Sequence, residues 1–317
     1  MSAGAAIRAG RLAYGMQLPV QSQSRLYVEP WELSAGPEAL RRIAAKADAT
    51  GFFYVAVCDH VVIPTERCAS MGATWYDTVA TLGHLAALTT RVRLLSHVVV
   101  APYRHPLVVA KAFATLDALS GGRAILGIGA GHVEGEFAAL GLDFARRGAA
   151  TDEAIALIRR AFEKEEVEFS GPTLRVSNVA LAPRPVQPGG VPIWVGGSSR
   201  AAIRRAARLG DGWLPQGTPR DELPAQIALL REERRRARGD APIAIGANAE
   251  PLYVGQPVWD VGPGTLHGSA GPLAERLAEF AAMGVSHLQL HLRARSEAEL
   301  LDQMDAFHAE VAPRLPA

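Results

Sequence analysis

Short apolar runs bounded by turn residues alternate with stretches of helical spacing along the whole chain. Eight of the runs read as strands: Leu12 to Met16, Phe53 to Val57, Val92 to Val98, Ala124 to Ile128, Pro192 to Val195, Gly212 to Leu214, Ile243 to Ala247 and Ser286 to His291. Several are apolar throughout, as expected of parallel strands covered on both faces. Between them lie apolar stripes such as Leu40, Ile43 and Ala47, or Ile155, Ile158 and Phe162, which suit helices packed on a sheet. Helix starts are expected at Pro106, around Thr151 with Asp152 and Glu153, and near Pro272. Eight β-then-α units predict an α/β fold, a (β/α)8 TIM barrel forming a single domain over residues 1–317, although a doubly wound open sheet shares the alternation.

In the last strand His287, Gln289 and His291 alternate with Leu288, Leu290 and Leu292. One face then meets the helices and the other turns its polar groups inward, which makes the two histidines satisfied interior residues. Three segments exceed ordinary connections, at about 58–75, 165–190 and 248–271. They are insertions on the barrel, and 165–190, with alternating stretches around Ser170-Gly171-Pro172, has the pattern of a small hairpin.

Composition narrows the partners more than the fold. Lys plus Arg total 33 against 32 Asp plus Glu, so charge makes no case for nucleic acid or an anionic membrane surface. The dense basic run REERRRAR (231–238) contains interleaved glutamates and fits a solvated helix face. Nothing is long and apolar enough for a membrane span, and the first ten residues lack the features of a secretory signal. Two cysteines, Cys58 and Cys68, make no disulfide framework, so a reduced cytoplasmic setting is expected.

Active sites of such barrels sit at the carboxyl ends of the strands, which selects the candidate chemistry. In GGRAILGIGAGHVEGEF (121–137) a strand empties into Gly127, Gly129 and Gly131, then His132, Glu134 and Glu136. Neither nucleotide fingerprint fits: the third glycine of G-x-G-x-x-G would fall on His132, and no Lys-Ser/Thr pair follows a glycine. Cys58-Asp59-His60 follows the second strand, where a histidine can bind a ligand or move a proton and Asp59 suits an orienting role. Ser96-His97 ends the third, while His105 before Pro106 reads as structural. Gly196-Gly197-Ser198-Ser199 leads from the fifth strand into a helix, so its amides suit either a phosphate or simply a capped turn. No H-E-x-x-H spacing supports a metal and no G-x-S-x-G elbow supports a serine hydrolase.

Three stretches carry a resemblance: SHVVVAPYRHPLVVAKAFATLDALSGGRAILGIGAGHVEGEFAALGLDFARRGAATDEAIALIRRAF (96–162), VPIWVGGSSRAAIRRAARLGDGWLP (191–215) and GFFYVAVCDH (51–60). Together they resemble the bacterial luciferase-like monooxygenases and oxidoreductases, TIM barrels that bind FMN or the deazaflavin coenzyme F420. By that resemblance His60 stands beside the reactive edge of the coenzyme ring, and Ser96-His97 matches the family's non-prolyl cis peptide, a bulge that backs the ring. Gly129, Ala130 and Gly131 then form a wall of the ring pocket, and Gly196, Gly197 and Ser198 a cradle for the coenzyme phosphate. His132 stands where some F420-dependent members carry a catalytic glutamate. The sugar-phosphate dehydrogenases of that branch carry an aromatic residue where this chain has Pro64, so their substrate is not transferred.

The resemblance implies an F420-dependent oxidoreductase that moves a hydride between the deazaflavin and a small organic substrate. His60, with His132 or Glu136 as proton source, is its expected catalytic set. Two alternatives stand beside it: an FMN-dependent monooxygenase served by a separate flavin reductase, and a flavin-binding protein without turnover. The resemblance also implies a homodimer.

Overall fold

The computed structural model describes residues 12–24 and 28–316. The amino-terminal stretch inspected for a secretory signal lies outside them. Eight strands form the barrel: β1 (Ala13–Gln17), β2 (Tyr54–Val57), β3 (Arg93–Ser96), β4 (Ala124–Gly129), β5 (Ile193–Gly196), β6 (Gly212–Leu214), β7 (Ala244–Asn248) and β8 (His287–Leu290). All eight coincide with the runs expected from the sequence, to within a few residues at their ends. Neighbours pair in parallel in the order β3-β2-β1-β8-β7-β6-β5-β4, and β3 also pairs with β4, so the sheet closes on itself. An open doubly wound sheet is thereby excluded.

Each strand is followed by a helix that covers its outer face: α1 (Pro37–Ala49), α2 (Thr78–Ala86), α3 (Pro106–Leu119), α4 (Arg147–Glu163), α5 (Arg200–Leu209), α6 (Leu223–Arg238), α7 (Ala270–Met283) and α8 (Glu297–Ala306). Strand parity sorts the core into two parts. Val55, Val57, Leu94, Leu126 and Ile128 turn outward to the helices. Tyr54, Leu95, Ile125, Trp194 and Leu214 meet inside the barrel, a packed layer rather than a pore. His287 lies in that layer, with its ring 4.9 Å from those of both Phe53 and Trp194 and Nδ1 2.8 Å from the Ser286 hydroxyl. His291 does not share the interior: it stands exposed on the rim, because β8 ends at Leu290.

The start of one helix and one arginine depart from the sequence pattern, whereas the hairpin expected within 165–190 is present. Helix α4 starts at Arg147 rather than near Thr151, whose hydroxyl donates to the Arg147 carbonyl one turn back. Residues 166–180 form an antiparallel hairpin tied to α4 through Glu153, which accepts the amide hydrogens of Thr173 and Leu174. Within the basic run, Arg234 is buried and donates to the carbonyls of Ala207, Gly210, Ala241 and Pro242, so one arginine of that face is a core bond-former. Among the described residues no helix is long and apolar enough to cross a membrane.

The third strand is the irregular one, and it shapes the site. Leu95 pairs with Ile125 and Val99 with Ile128, so three residues of one strand oppose two of the other. Residues 96–98 therefore bulge. The bulge contains a cis peptide bond at His97-Val98, one position beyond the Ser96-His97 expected from the resemblance. Its consequence is steric. The Ser96 carbonyl turns into the space beside Gly127, and the Val98 side chain fills the space beside both Gly129 and Gly196.

Candidate functional site

The loops leaving β2, β3, β4 and β5 enclose a cavity of about 750 Å³ at the carboxyl end of the barrel. That is ample for a coenzyme-sized ligand. On one side stand His60 and His132, with ring centroids 6.1 Å apart, and Trp75, whose ring lies 4.4 Å from that of His60. Gly129, Ala130 and Gly131 form a wall whose backbone is bare of large side chains, with Val98 as a ridge beside it. The far end holds Gly196, Gly197, Ser198 and the start of α5, together with Arg147 and Arg205.

Glu136 is the keystone of the histidine side. It lies in a short helix, Glu134–Ala139, immediately after β4, and its carboxylate is fully buried. The His60 ring nitrogen Nδ1 is 2.9 Å from Oε2, which also accepts the Tyr103 hydroxyl at 2.8 Å. The other oxygen accepts the amide of Val61 at 2.6 Å and that of Val62 at 3.3 Å. Burial alone would raise this carboxyl, but the bonds from His60, Tyr103 and Val61 outweigh it and hold Glu136 below the usual range. An ionised carboxylate only accepts, so His60 carries its proton on Nδ1 and presents Nε2 toward the cavity. Glu136 itself does not line that cavity. The residue expected as a proton source thus stands behind His60.

His132 does line the cavity, and burial and the neighbouring His60 both lower its proton affinity. It is therefore a neutral imidazole near pH 7. Asp59, adjacent to His60, is spoken for: Arg104 grips it with a two-pronged pair at 2.7 and 2.8 Å, and the Val100 amide donates to it at 2.9 Å. This clamp ties the end of β2 to the chain just past the bulge. Cys58 faces the cavity, but burial pushes its thiol up to about 12, so it is no nucleophile.

The other expected cofactor residues divide. Ser96 is buried outside the cavity, its hydroxyl donating to the Gly127 carbonyl at 2.8 Å, because the bulge turns it into the sheet. Val98 occupies the wall instead. His97 reaches the cavity from beneath, and burial draws its imidazole down to about 4. Gly129 and Gly196 lack side chains because Val98 fills both spaces: an added Cβ would lie 2.6 and 2.5 Å from its methyls. Gly131 and Gly197 adopt positive φ, at 79° and 104°, where glycine is favoured. The Ser198 hydroxyl donates to the Gln216 carbonyl and accepts from Thr218, so its backbone rather than its side chain is left to meet a ligand. Ser199 caps α5 by accepting from the Ala202 amide.

Arg147 and Arg205 were not singled out from the sequence, although they lie within the 96–162 and 191–215 stretches that carry the resemblance. Arg147 stacks on Phe144, 3.8 Å from its ring centroid, and Arg205 pairs with Asp152 while donating to the Gly148 carbonyl at 3.0 Å. Both guanidiniums are thus fixed at the end of the cavity where the α5 dipole is positive, an arrangement that favours an anion. Among the described residues no group of three or more His, Cys, Asp or Glu is arranged to hold a metal.

Comparison with known proteins gives the family and the fold. A family model described as luciferase-like monooxygenase matches residues 13–257. An F420-dependent glucose-6-phosphate dehydrogenase of Intrasporangium calvum is 29% identical over 338 aligned positions, covering 90% of this chain and 98% of its own. An FMNH2-dependent dimethylsulfone monooxygenase of Pseudomonas fluorescens is 31% identical over 213, covering 66% of this chain and 56% of its own. Among solved structures, an F420-dependent secondary alcohol dehydrogenase in complex with an F420-acetone adduct superposes with a TM-score of 0.77 at 19% identity, over 96% of this chain and 99% of that one. It shares the fold.

Proposed function

The chain belongs to the luciferase-like monooxygenase family, and from that premise we propose that it is an F420-dependent oxidoreductase acting on a small organic substrate. The observation that carries this choice is the imidazole of His60, fixed by buried Glu136 on the wall of a coenzyme-sized cavity. Reduction of a carbonyl or oxidation of an alcohol needs one proton moved for each hydride, and a positioned imidazole does that work near neutral pH. An F420-dependent relative that aligns over nearly its whole length supports the same choice.

The residues present fit such a coenzyme. Val98 and the backbone of Gly129, Ala130 and Gly131 offer a smooth wall for a flat ring, and Gly197, Ser198, Arg147 and Arg205 offer donors and positive charge for its phosphate. When bound, a deazaflavin supplies or accepts a hydride at a ring carbon. His60 holds or releases the accompanying proton at Nε2, while Glu136 keeps the ring in one tautomer and orientation. His132, neutral and close by, is a second proton carrier. Trp75 screens His60 from water on one side.

Titrating the coenzyme-free protein with F420 and with FMN tests the choice. F420 is expected to bind and FMN to bind weakly; tight FMN binding without F420 binding would reject F420 in favour of oxygen chemistry with reduced flavin. A further expectation concerns the anionic end. Arg147→Ala should weaken coenzyme binding by roughly ten-fold at low salt, with the gap to wild type shrinking at high salt. Equal affinities at low salt would detach Arg147 from the phosphate.

A further inference from the structure

A second cavity of about 420 Å³ opens beside the first, over the carboxyl ends of β1, β7 and β8. Gln17, His97, Gln216 and Gly217 line both, so the two communicate at the barrel mouth. Its floor and one side are apolar, with Met16, Leu18, Leu290 and Leu292.

Set into that apolar lining are polar atoms with nothing to bond. Trp31 Nε1, His97 Nδ1 and Gln289 Oε1 are buried and have no hydrogen-bond partner, although His97 and Gln289 are only 5% and 9% exposed. Gln289 spends its other end on Asn248 at 3.3 Å. An indole N–H donates, an amide oxygen accepts, and an imidazole nitrogen does either. Leaving such groups unpaired in a buried place is costly, so they are the kind of groups a ligand satisfies.

The charges point to what that ligand lacks. Arg293 is the only Lys or Arg among the described lining residues, and it is taken: Nε lies 2.5 Å from Glu29 Oε1 and Nη2 3.3 Å from Oε2. Glu32 adds a second buried carboxyl, accepting the amides of Val20 and Glu29 at 3.0 and 2.8 Å. Burial outweighs those bonds and lifts Glu32 to about 7. Carboxyls outnumber the guanidinium, and no cation is spare for a phosphate. The contrast with the first cavity, where two arginines and a helix start meet, is one of kind.

We propose that this second cavity holds the body of the substrate, whose reacting group reaches His60 in the first cavity through the shared mouth, and that it takes an uncharged molecule with an apolar body and a hydroxyl or carbonyl group while rejecting phosphorylated sugars. This rests on the oxidoreductase assignment above for its meaning as a substrate site, but its occupancy is testable without turnover. A site built around unpaired donors and acceptors discriminates strongly for ligands that complete its bonds.

The test uses full-length protein saturated with F420, and saturation-transfer NMR with cyclohexanol, cyclohexanone and menthol set against glucose 6-phosphate. Transfer to the neutral probes and none to the sugar phosphate is expected. Trp31→Phe and Gln289→Leu should each weaken the neutral probes by roughly ten-fold without changing F420 affinity. Should Gln289→Leu fail to fold, Trp31→Phe carries the comparison. Glu29→Gln frees Arg293 and should bring glucose 6-phosphate binding into view. Failure of all neutral probes at millimolar concentration, equal or tighter binding of the sugar phosphate by the wild type, or displacement of F420 by the neutral probes would overturn the proposal. If F420 itself does not bind while neutral probes do, the coenzyme assignment fails and the chamber's chemistry stands.

Discussion

Gly127→Ala is expected to destabilise the barrel by at least about 3 kcal/mol, lowering the apparent melting temperature by on the order of 6–12 °C. A Cβ at this position would lie 1.8 Å from the Ser96 carbonyl oxygen. The obstacle is backbone, held in the bulge by the Ser96 hydroxyl on Gly127 and by the His97 amide on the Val57 carbonyl at 2.8 Å, so it cannot swing aside as a side chain end would. Gly83→Ala is the control. Gly83 is exposed in mid-helix with nothing within 4 Å of an added Cβ, and alanine there should stabilise by about 0.5–1 kcal/mol. Thermal unfolding followed by circular dichroism compares them, and a Gly127→Ala protein that melts with the wild type would show that the close approach is absent.

The largest effect on turnover is expected at the His60–Glu136 pair. His60→Ala should lower kcat by about 10² to 10⁴, the usual worth of a positioned acid–base group, while coenzyme still binds. Glu136→Gln should lower kcat by roughly ten- to a hundred-fold, because an amide presents its NH2 group where two donors, the His60 Nδ1–H and the Tyr103 hydroxyl, now find a carboxylate. The pH dependence separates the roles. With its folded pKa depressed, Glu136 stabilises the pair above the ordinary carboxylate range and loses that contribution only as pH falls through the lower folded value. The acid limb of the kcat profile is therefore expected to shift in Glu136→Gln, which has no carboxyl to protonate. Steady-state kinetics across pH would show it. An unmoved limb with unchanged kcat would reduce Glu136 to a purely structural carboxylate.

The two sides of this site were unequally visible in the chain. His60, His132 and the glycine turns stand in sequence directly after apolar runs, so the rule that barrel chemistry gathers at strand ends picks them out. Glu136 was picked out too, as a proton source, and the structure sets it behind His60 rather than on the cavity wall. Its burial depends on loops 61–62 and 103 folding over it, contacts that span 33 to 76 positions along the chain. Arg147 and Arg205 escaped notice because an arginine in a helical stretch looks like any solvated one; only the packing of α4 against α5 turns both to one cavity.

Local pattern determined the eight strands and the helices that cover them, because apolar periodicity is written residue by residue, whereas closure into a barrel rather than an open sheet rests on the pairing of β3 with β4. Three-dimensional packing decided the rest. The bulge made Val98, rather than Ser96, the wall residue and explained Gly129 and Gly196 by a neighbouring side chain. The second chamber, with its unpaired Trp31, His97 and Gln289, draws on segments more than 250 positions apart. Whether a polar atom is bonded, and whether a carboxylate is wet or buried, are properties of what surrounds it in space, and the order of residues along the chain does not contain that neighbourhood.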